Sequence, residues 1–352
     1  MEKTDDEILL SGTILLGEDF EPFDGYLSLR KGVVAEVGSE KIDSDLEGII
    51  CPALVNGHVH LGDSVLKDPP YLPLEELVGP GGLKHRILER ASRRDQVEGM
   101  KRSLSYMARS GTCAFADFRE GGIEGVDMLL EAMEGSGMIG RIFGRPDPGS
   151  VRVHRRCWGV GISSTRDHPR SLVEEMVEKA RSEGKRVALH AGEAGRGDIE
   201  DALSLSPDLL VHLTRAEERD LKMVAEAGVP VVVCPRSNLV TGVGLPDVRR
   251  MLQMGMVVGL GTDNVMLNSP DLFTEMEFLS KALLHNDRQV FMICTLNGAR
   301  ILGADDEAGA IRPGKRCRIM VIDRRSDKMW GVRDPLASVV RRAAPSDVLA
   351  VY

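Results

Sequence analysis

Arg170-Ser-Leu-Val-Glu-Glu-Met-Val-Glu-Lys-Ala-Arg-Ser182 is followed at once by Arg186-Val-Ala-Leu-His190, and a second short apolar run, Leu209-Leu-Val-His212, comes soon after. A charged helical pattern leading into a brief apolar run is the signature of a helix feeding a buried strand. The same texture extends in both directions, from about residue 51 to residue 302. The apolar runs read as strands are Gly48–Val55, Thr112–Ala116, Ile139–Phe143, Gly159–Ile162, Arg186–His190, Leu209–His212, Val229–Cys234 and Val257–Gly261. Helical patterns such as Arg170–Ser182 and Glu217–Ala227 lie between most of them. Eight strands alternating with helices over roughly 250 residues match one closed TIM (β/α)8 barrel.

The two ends of the chain have a different texture. Ile8–Leu16, Gly25–Leu29 and Val33–Val37 are β-rich runs broken by Gly, Asp and Pro, and Gly309–Gly314 with Arg318–Asp323 returns to that pattern. The expectation is a small β-sandwich domain composed of residues 1–50 and 304–352, beside a barrel spanning 51–303. At 352 residues, with 42% hydrophobic and 28% charged side chains, the chain can build both.

A formal net charge of −9 disfavours a nucleic-acid polymer as partner. The acidic start, Met1-Glu-Lys-Thr-Asp-Asp-Glu7, has no apolar segment and does not read as a signal peptide, and no apolar run is long enough to span a membrane. The six cysteines are scattered without a CxxC pair, which points to reduced thiols in the cytoplasm. The expected partner is a small-molecule substrate; a homo-oligomer is compatible with the sequence.

Chemistry gathers at the strand ends. His58 and His60, in Asn56-Gly-His-Val-His60, are two apart, so on a strand they share a face and can hold one metal. His190 and His212 each end an apolar run, and Asp263 follows the last in Gly261-Thr-Asp-Asn264. Barrel enzymes draw their catalytic groups from the C-terminal ends of different strands. Imidazoles with a carboxylate suit zinc or ferrous iron in an open catalytic site. Glu193, three residues after His190, is placed to handle a proton of the metal water.

With these pieces in order along nearly the whole chain, the sequence resembles the amidohydrolase superfamily, in its branch of cytosine, guanine, S-adenosylhomocysteine and triazine aminohydrolases. Cys51-Pro-Ala-Leu-Val-Asn-Gly-His-Val-His60, His190-Ala-Gly-Glu193, Cys234-Pro-Arg-Ser-Asn238, Gly261-Thr-Asp263, Thr295-Leu-Asn-Gly-Ala-Arg300 and Gly309-Ala-Ile-Arg-Pro-Gly-Lys315 carry the resemblance. It implies that His58, His60, His190 and Asp263 ligate one divalent metal, zinc or alternatively iron. It further implies that His212 contacts the metal-bound water or the substrate, and that Glu193 relays a proton. The implied function is a deaminase releasing ammonia from an aminated heterocycle by attack of metal-bound hydroxide. The rival readings are hydrolysis of a cyclic amide or a C–Cl bond, and a barrel that binds metal without turnover.

The sequence also departs from that branch. Asn264 stands where a glycine is usual, the segment after the first barrel strand is short, and the chain stops at Tyr352, where a further strand is expected. The fourth strand, within Trp158-Gly-Val-Gly-Ile-Ser-Ser164, has no Lys or acid to bridge a second metal, which favours one ion. Lys84-His-Arg86 with Arg90, Arg93 and Arg94, and Arg152-Val-His-Arg-Arg156, read as solvated faces or salt-bridged helices rather than binding sites. Gly79-Pro-Gly-Gly82 lacks the Lys-Ser/Thr of a phosphate loop.

Overall fold

A computed structural model describes residues 7–147 and 149–352; the acidic N-terminal segment read above lies mostly outside them. The chain opens with four strands: β1 (Glu7–Leu16), β2 (Glu21–Arg30), β3 (Val33–Gly38) and β4 (Leu46–Pro52). Nine more follow: β5 (Leu54–His60), β6 (Thr112–Arg119), β7 (Ile139–Gly144), β8 (Gly159–Ile162), β9 (Arg186–Ala191), β10 (Leu209–His212), β11 (Val231–Val233), β12 (Val258–Leu260) and β13 (Asp263–Asn264). Two close the chain: β14 (Ile319–Ile322) and β15 (Val348–Val351).

The chain divides into two compact units, residues 1–55 with 107–114 and 271–352, and residues 56–106 with 115–270. In the first, the chain ends meet in a six-stranded sheet of order β15-β14-β4-β1-β2-β3. Leu10, Ile14, Leu27, Val34, Ile50 and Val321 form its buried side. Among the described residues this is one sheet, whereas a sandwich would need two facing sheets. The last described residues form β15, which pairs antiparallel with β14.

The other sheet has nine strands in the order β12-β11-β10-β9-β8-β7-β6-β5-β13. It is a curled parallel sheet in a mixed α/β fold. Helices Gly122–Met133, Arg170–Ser182 and Glu218–Ala227 lie between its strands in the chain. Strands β6, β8, β10, β11 and β12 are buried throughout, as expected for parallel strands covered on both faces.

Two strand assignments need correction. The run Gly48–Val55 is not one barrel strand: β4 ends at Pro52 and joins the six-stranded sheet, while β5 starts at Leu54. Pro52 has no N–H to continue a ladder, and an unbroken apolar run gives no alternation by which the switch is visible in sequence. The eighth run, Val257–Gly261, forms β12, but Asp263 does not end that strand. Asp263 lies in the separate short strand β13, whose partner is β5 with Asp263 opposite Val59 and Asn264 opposite His60. The sheet's two outer strands, β12 and β13, are separated in sequence only by Gly261 and Thr262.

No helix among the described residues is long and apolar enough to cross a membrane.

Gly261 is a close-approach residue. A Cβ there would lie 2.8 Å from both Cβ and the carbonyl oxygen of His58 and 2.9 Å from its amide nitrogen. Backbone atoms cannot yield as a flexible side chain does. Gly261→Ala is expected to lower the unfolding free energy by ~1–3 kcal/mol, as overpacking does, measured by urea denaturation of metal-free protein. An unchanged midpoint would mean that β5 and the β12–β13 link move apart freely.

Candidate metal centre

Strand geometry first brings the side chains together. His58 and His60 share a face of β5, and both are buried. His190 is next to last in β9, His212 ends β10, and Asp263 begins β13. Their polar atoms converge. His58 Nε2 is 3.3 Å from Asp263 Oδ1 and 3.3 Å from His190 Nε2, and His60 Nε2 is 3.5 Å from the same Asp263 oxygen. Three trios, His58 with His60 and Asp263, His58 with His190 and His212, and Glu193 with His212 and Asp263, each place one donor atom per residue within 4.8 Å of one another.

The electrostatics suit a cation. Burial lowers the His58 imidazole to about 3, against the pull of Asp263. Burial, then Lys84, lowers His60, and burial with the neighbouring His58 holds His190 well below its ordinary value. These rings are neutral at physiological pH, with lone pairs to offer. Burial would raise Asp263, but a hydrogen bond and charge from His58, with the other imidazoles, hold its carboxyl well below the usual range. Two neutral nitrogens facing each other at 3.3 Å, beside an ionised oxygen, form a donor set that a divalent ion satisfies.

Each group is braced from behind. The Nδ1 atoms of His60 and His190 lie 3.0 Å from the Phe118 carbonyl and 3.1 Å from the Ile162 carbonyl, which leaves each Nε2 as the lone-pair atom. The Phe118 ring packs edge-on against His58, with centroids 4.4 Å apart. Ser237 Oγ donates to Asp263 Oδ2 at 2.6 Å. Asn56 locks the first strand to the last: its Nδ2 donates to Thr262 Oγ1 and its Oδ1 accepts from Thr262 N.

His212 is braced differently. Asn238 Nδ2 donates to His212 Nδ1 at 3.1 Å, and Thr214 Oγ1 fixes the amide by donating to Asn238 Oδ1 at 3.0 Å. An Nδ1 that accepts leaves the proton on Nε2. That Nε2 lies 3.5 Å from Glu193 Oε2. In that tautomer His212 Nε2–H is turned toward Glu193. Burial, and then Asp263 and Asp198, raise the Glu193 carboxyl, against the pull of His212.

The structure adds groups that sequence reading missed. Glu120, the residue after β6, has Oε1 3.0 Å from His60 Nδ1, 2.6 Å from Lys84 Nζ and 3.5 Å from Arg145 Nη1. Of the two readings of its basic cluster, Lys84 fits the salt-bridged helix and not the solvated face: it is buried, with Asp63 Oδ2 3.9 Å away. Arg155 and Arg156, by contrast, are exposed as the solvated face expects. Asp63 accepts from Asn264 Nδ2 at 2.8 Å, which gives the unusual Asn264 a partner. The signal for Glu120 lay in Asp117-Phe-Arg-Glu120, ionisable residues closing a buried strand as His60 closes β5 and His212 closes β10. A cavity of about 660 Å³ lies beside Glu120 and Arg145, lined also by His85, Met128, Ile162 and Ser163, a size suited to a small molecule.

Comparison with known proteins agrees with this picture. The amidohydrolase family pattern matches residues 49–352. A putative aminohydrolase of Methanothermobacter thermautotrophicus is 34% identical, over 97% of this chain and 96% of its own. A 5-methylthioadenosine/S-adenosylhomocysteine deaminase of Moorella thermoacetica is 28% identical over 92% of this chain and 84% of its own. A zinc-bound adenosine deaminase structure from Xanthomonas campestris shares the fold, with a TM-score of 0.76 at 19% identity, over 98% of this chain and 91% of that one. The chain belongs to the amidohydrolase family.

Proposed function

We propose that this amidohydrolase is a zinc-dependent deaminase that releases ammonia from an aminated heterocycle such as a purine, pyrimidine or nucleoside. The observation that carries the proposal is the pairing of His212 Nε2 with Glu193 Oε2 beside the cluster of three imidazoles and Asp263. His58, His60, His190 and Asp263 are the proposed ligands. The deaminase names of the relatives and the zinc in the similar structure support the activity and the metal.

A divalent cation held there acidifies a water molecule toward neutral pH and so supplies the nucleophile. The protein's own groups do the remaining work. Glu193 Oε2 takes the proton that the water gives up and delivers it to the departing nitrogen, which leaves as ammonia while the ring carbon gains oxygen. His212 Nε2–H donates a hydrogen bond to the incoming oxygen, with its tautomer held by Asn238. Asp263 combines ligation with orientation, its second oxygen fixed by Ser237. Arg145 and Glu120 border the cavity in which a substrate of this size is received.

The same reading covers the architecture. We take residues 51–303 as the catalytic (β/α)8 barrel, with β12 and β13 as one interrupted strand that closes it, and residues 1–50 with 304–352 as the companion β domain. A cytoplasmic setting is supported by six buried cysteines, none in a disulfide.

One ion per chain is expected, because β8, Gly159-Val-Gly-Ile162, offers no side chain to bridge a second. Elemental analysis of zinc-saturated protein checks this, and two ions per chain contradicts it. Asp263→Ala is expected to lose both metal and activity, since one ligand fewer breaks an open site; a metal-replete, active variant refutes the ligand set. Glu193→Gln is expected to keep its metal and its substrate affinity and to lose roughly 10²–10⁴ in turnover. The measurement is kcat with metal content, on a substrate found by screening nucleobases, nucleosides and pterins for ammonia release. Unchanged kcat makes Glu193 a bystander, and loss of metal makes it a ligand.

A further inference from the structure

Lys84, Glu120 and Asp63 form a continuous buried chain of charge. Glu120 Oε1 lies 2.6 Å from Lys84 Nζ, and Asp63 Oδ2 is 3.9 Å from the same nitrogen. One end of the chain reaches His60, through Glu120 Oε1 at 3.0 Å from Nδ1. The other end reaches the residues that follow Asp263: Asp63 Oδ2 accepts from Asn264 Nδ2 at 2.8 Å, and Oδ1 from Met266 N at 3.1 Å. His60 and Asn264 are also direct partners in the β5–β13 ladder. Backbone and buried charge thus join the same two places.

We propose that Lys84 is the hub of a positioning network, with Glu120 and Asp63 as its arms, that sets the metal affinity of the site through His60 and the Asp263–Asn264 strand. This rests on the reading of His60 and Asp263 as ligands. Two physical arguments support it. A buried ion pair seldom stabilises a fold more than apolar side chains of the same volume, so three buried charges here need a reason other than packing. And His60 differs from the other imidazoles. His190 has only a backbone carbonyl behind it, and the Phe118 carbonyl already serves His60 in that way. Glu120 is thus surplus to fixing the tautomer. What it adds is negative charge behind the ring, which strengthens Nε2 as a donor to a cation. Lys84 offsets the charge of both arms and, with Arg145, holds Glu120 Oε1 against His60.

Loss of such outer partners typically weakens metal binding by about 10–100-fold. Zinc affinity is measured on purified full-length wild type, Glu120→Gln, Lys84→Met and the double variant, by competition with a chromophoric chelator. Circular dichroism and the melting temperature of each metal-free protein are recorded alongside. Glu120→Gln and Lys84→Met are each expected to bind zinc about 10–100-fold more weakly. The double variant is expected to bind about as weakly as Lys84→Met alone, because both changes act on one chain. Glu120→Gln preserves shape and carries the test if Lys84→Met does not fold. Zinc affinity within twofold of wild type in Glu120→Gln, with only a lower melting temperature or a higher KM, overturns the proposal and makes Glu120 a structural or substrate-facing group. Wild-type protein that binds no zinc overturns the ligand reading itself, and this inference with it.

Discussion

One buried negative charge organises this site. Asp263 is nearly inaccessible and held ionised, and the rings around it are neutral because burial disfavours their charged forms. An ionised carboxylate among neutral imidazoles is expensive unless something positive shares the space. A divalent cation meets that need and also satisfies nitrogens that otherwise face each other at 3.3 Å. The bracing contacts follow from the same demand: carbonyls behind His60 and His190, a serine behind Asp263, and Asn56 tying Thr262 to the first strand.

The backbone bears a cost for this convergence. His212, Leu213 and Asp263 have φ values of 81°, 50° and 58°, a region that residues other than glycine seldom enter. Each such residue costs on the order of 1–3 kcal/mol and persists only where its surroundings over-determine it. The surroundings do so here. His212 is held by Asn238 at its side chain, and Leu213 N donates to the Ala191 carbonyl. Asp263 follows Thr262, whose N–H donates to the His58 carbonyl, and it pairs with Val59. The left-handed turns fall where strands end, and they let adjacent strands aim their side chains at a common point.

What was legible in the sequence follows from these mechanics. His58, His60, His190, His212 and Asp263 stood out because a polar residue closing an apolar run has few structural reasons to be there. The strands β8 and β10 were legible to the residue because each is a short apolar run cut off sharply by polar or turn residues. The partners of Lys84 were not, because Lys84-His-Arg86 reads as a solvated face or a salt-bridged helix, and only the fold shows Lys84 itself turned inward against Glu120 and Asp63. Asn264 was visible as a departure, but its meaning depends on Asp63, some two hundred positions away in the chain. Ser237 and Asn238 lay within a recognised motif, yet nothing local tells which of them serves Asp263 and which serves His212. The break at Ala53 was hidden because both halves of the run are equally apolar.

The arrangement also separates two tasks. Glu193 and His212, the groups suited to moving protons, come from the ends of β9 and β10, whereas Glu120 and Arg145, which border the cavity, come from the ends of β6 and β7. Between them in the sheet lies β8, which gives the site a backbone carbonyl at Ile162 and little side-chain bulk. That smallness has a function of its own: a Cβ at Gly161 would come within 2.9 Å of the Phe118 ring, the same ring that packs against His58. With β8 kept slender, the Phe118 ring can stay against His58. Segments after β5, β6, β7 and β8 line that cavity, whereas the contacts that hold His212 and Glu193 lie outside its lining. Glu193 and His212 thus stand on strands other than those of Glu120 and Arg145, while much of the remaining cavity lining comes from residues 80–96 and 161–176, segments whose sequence pattern says nothing of what they enclose.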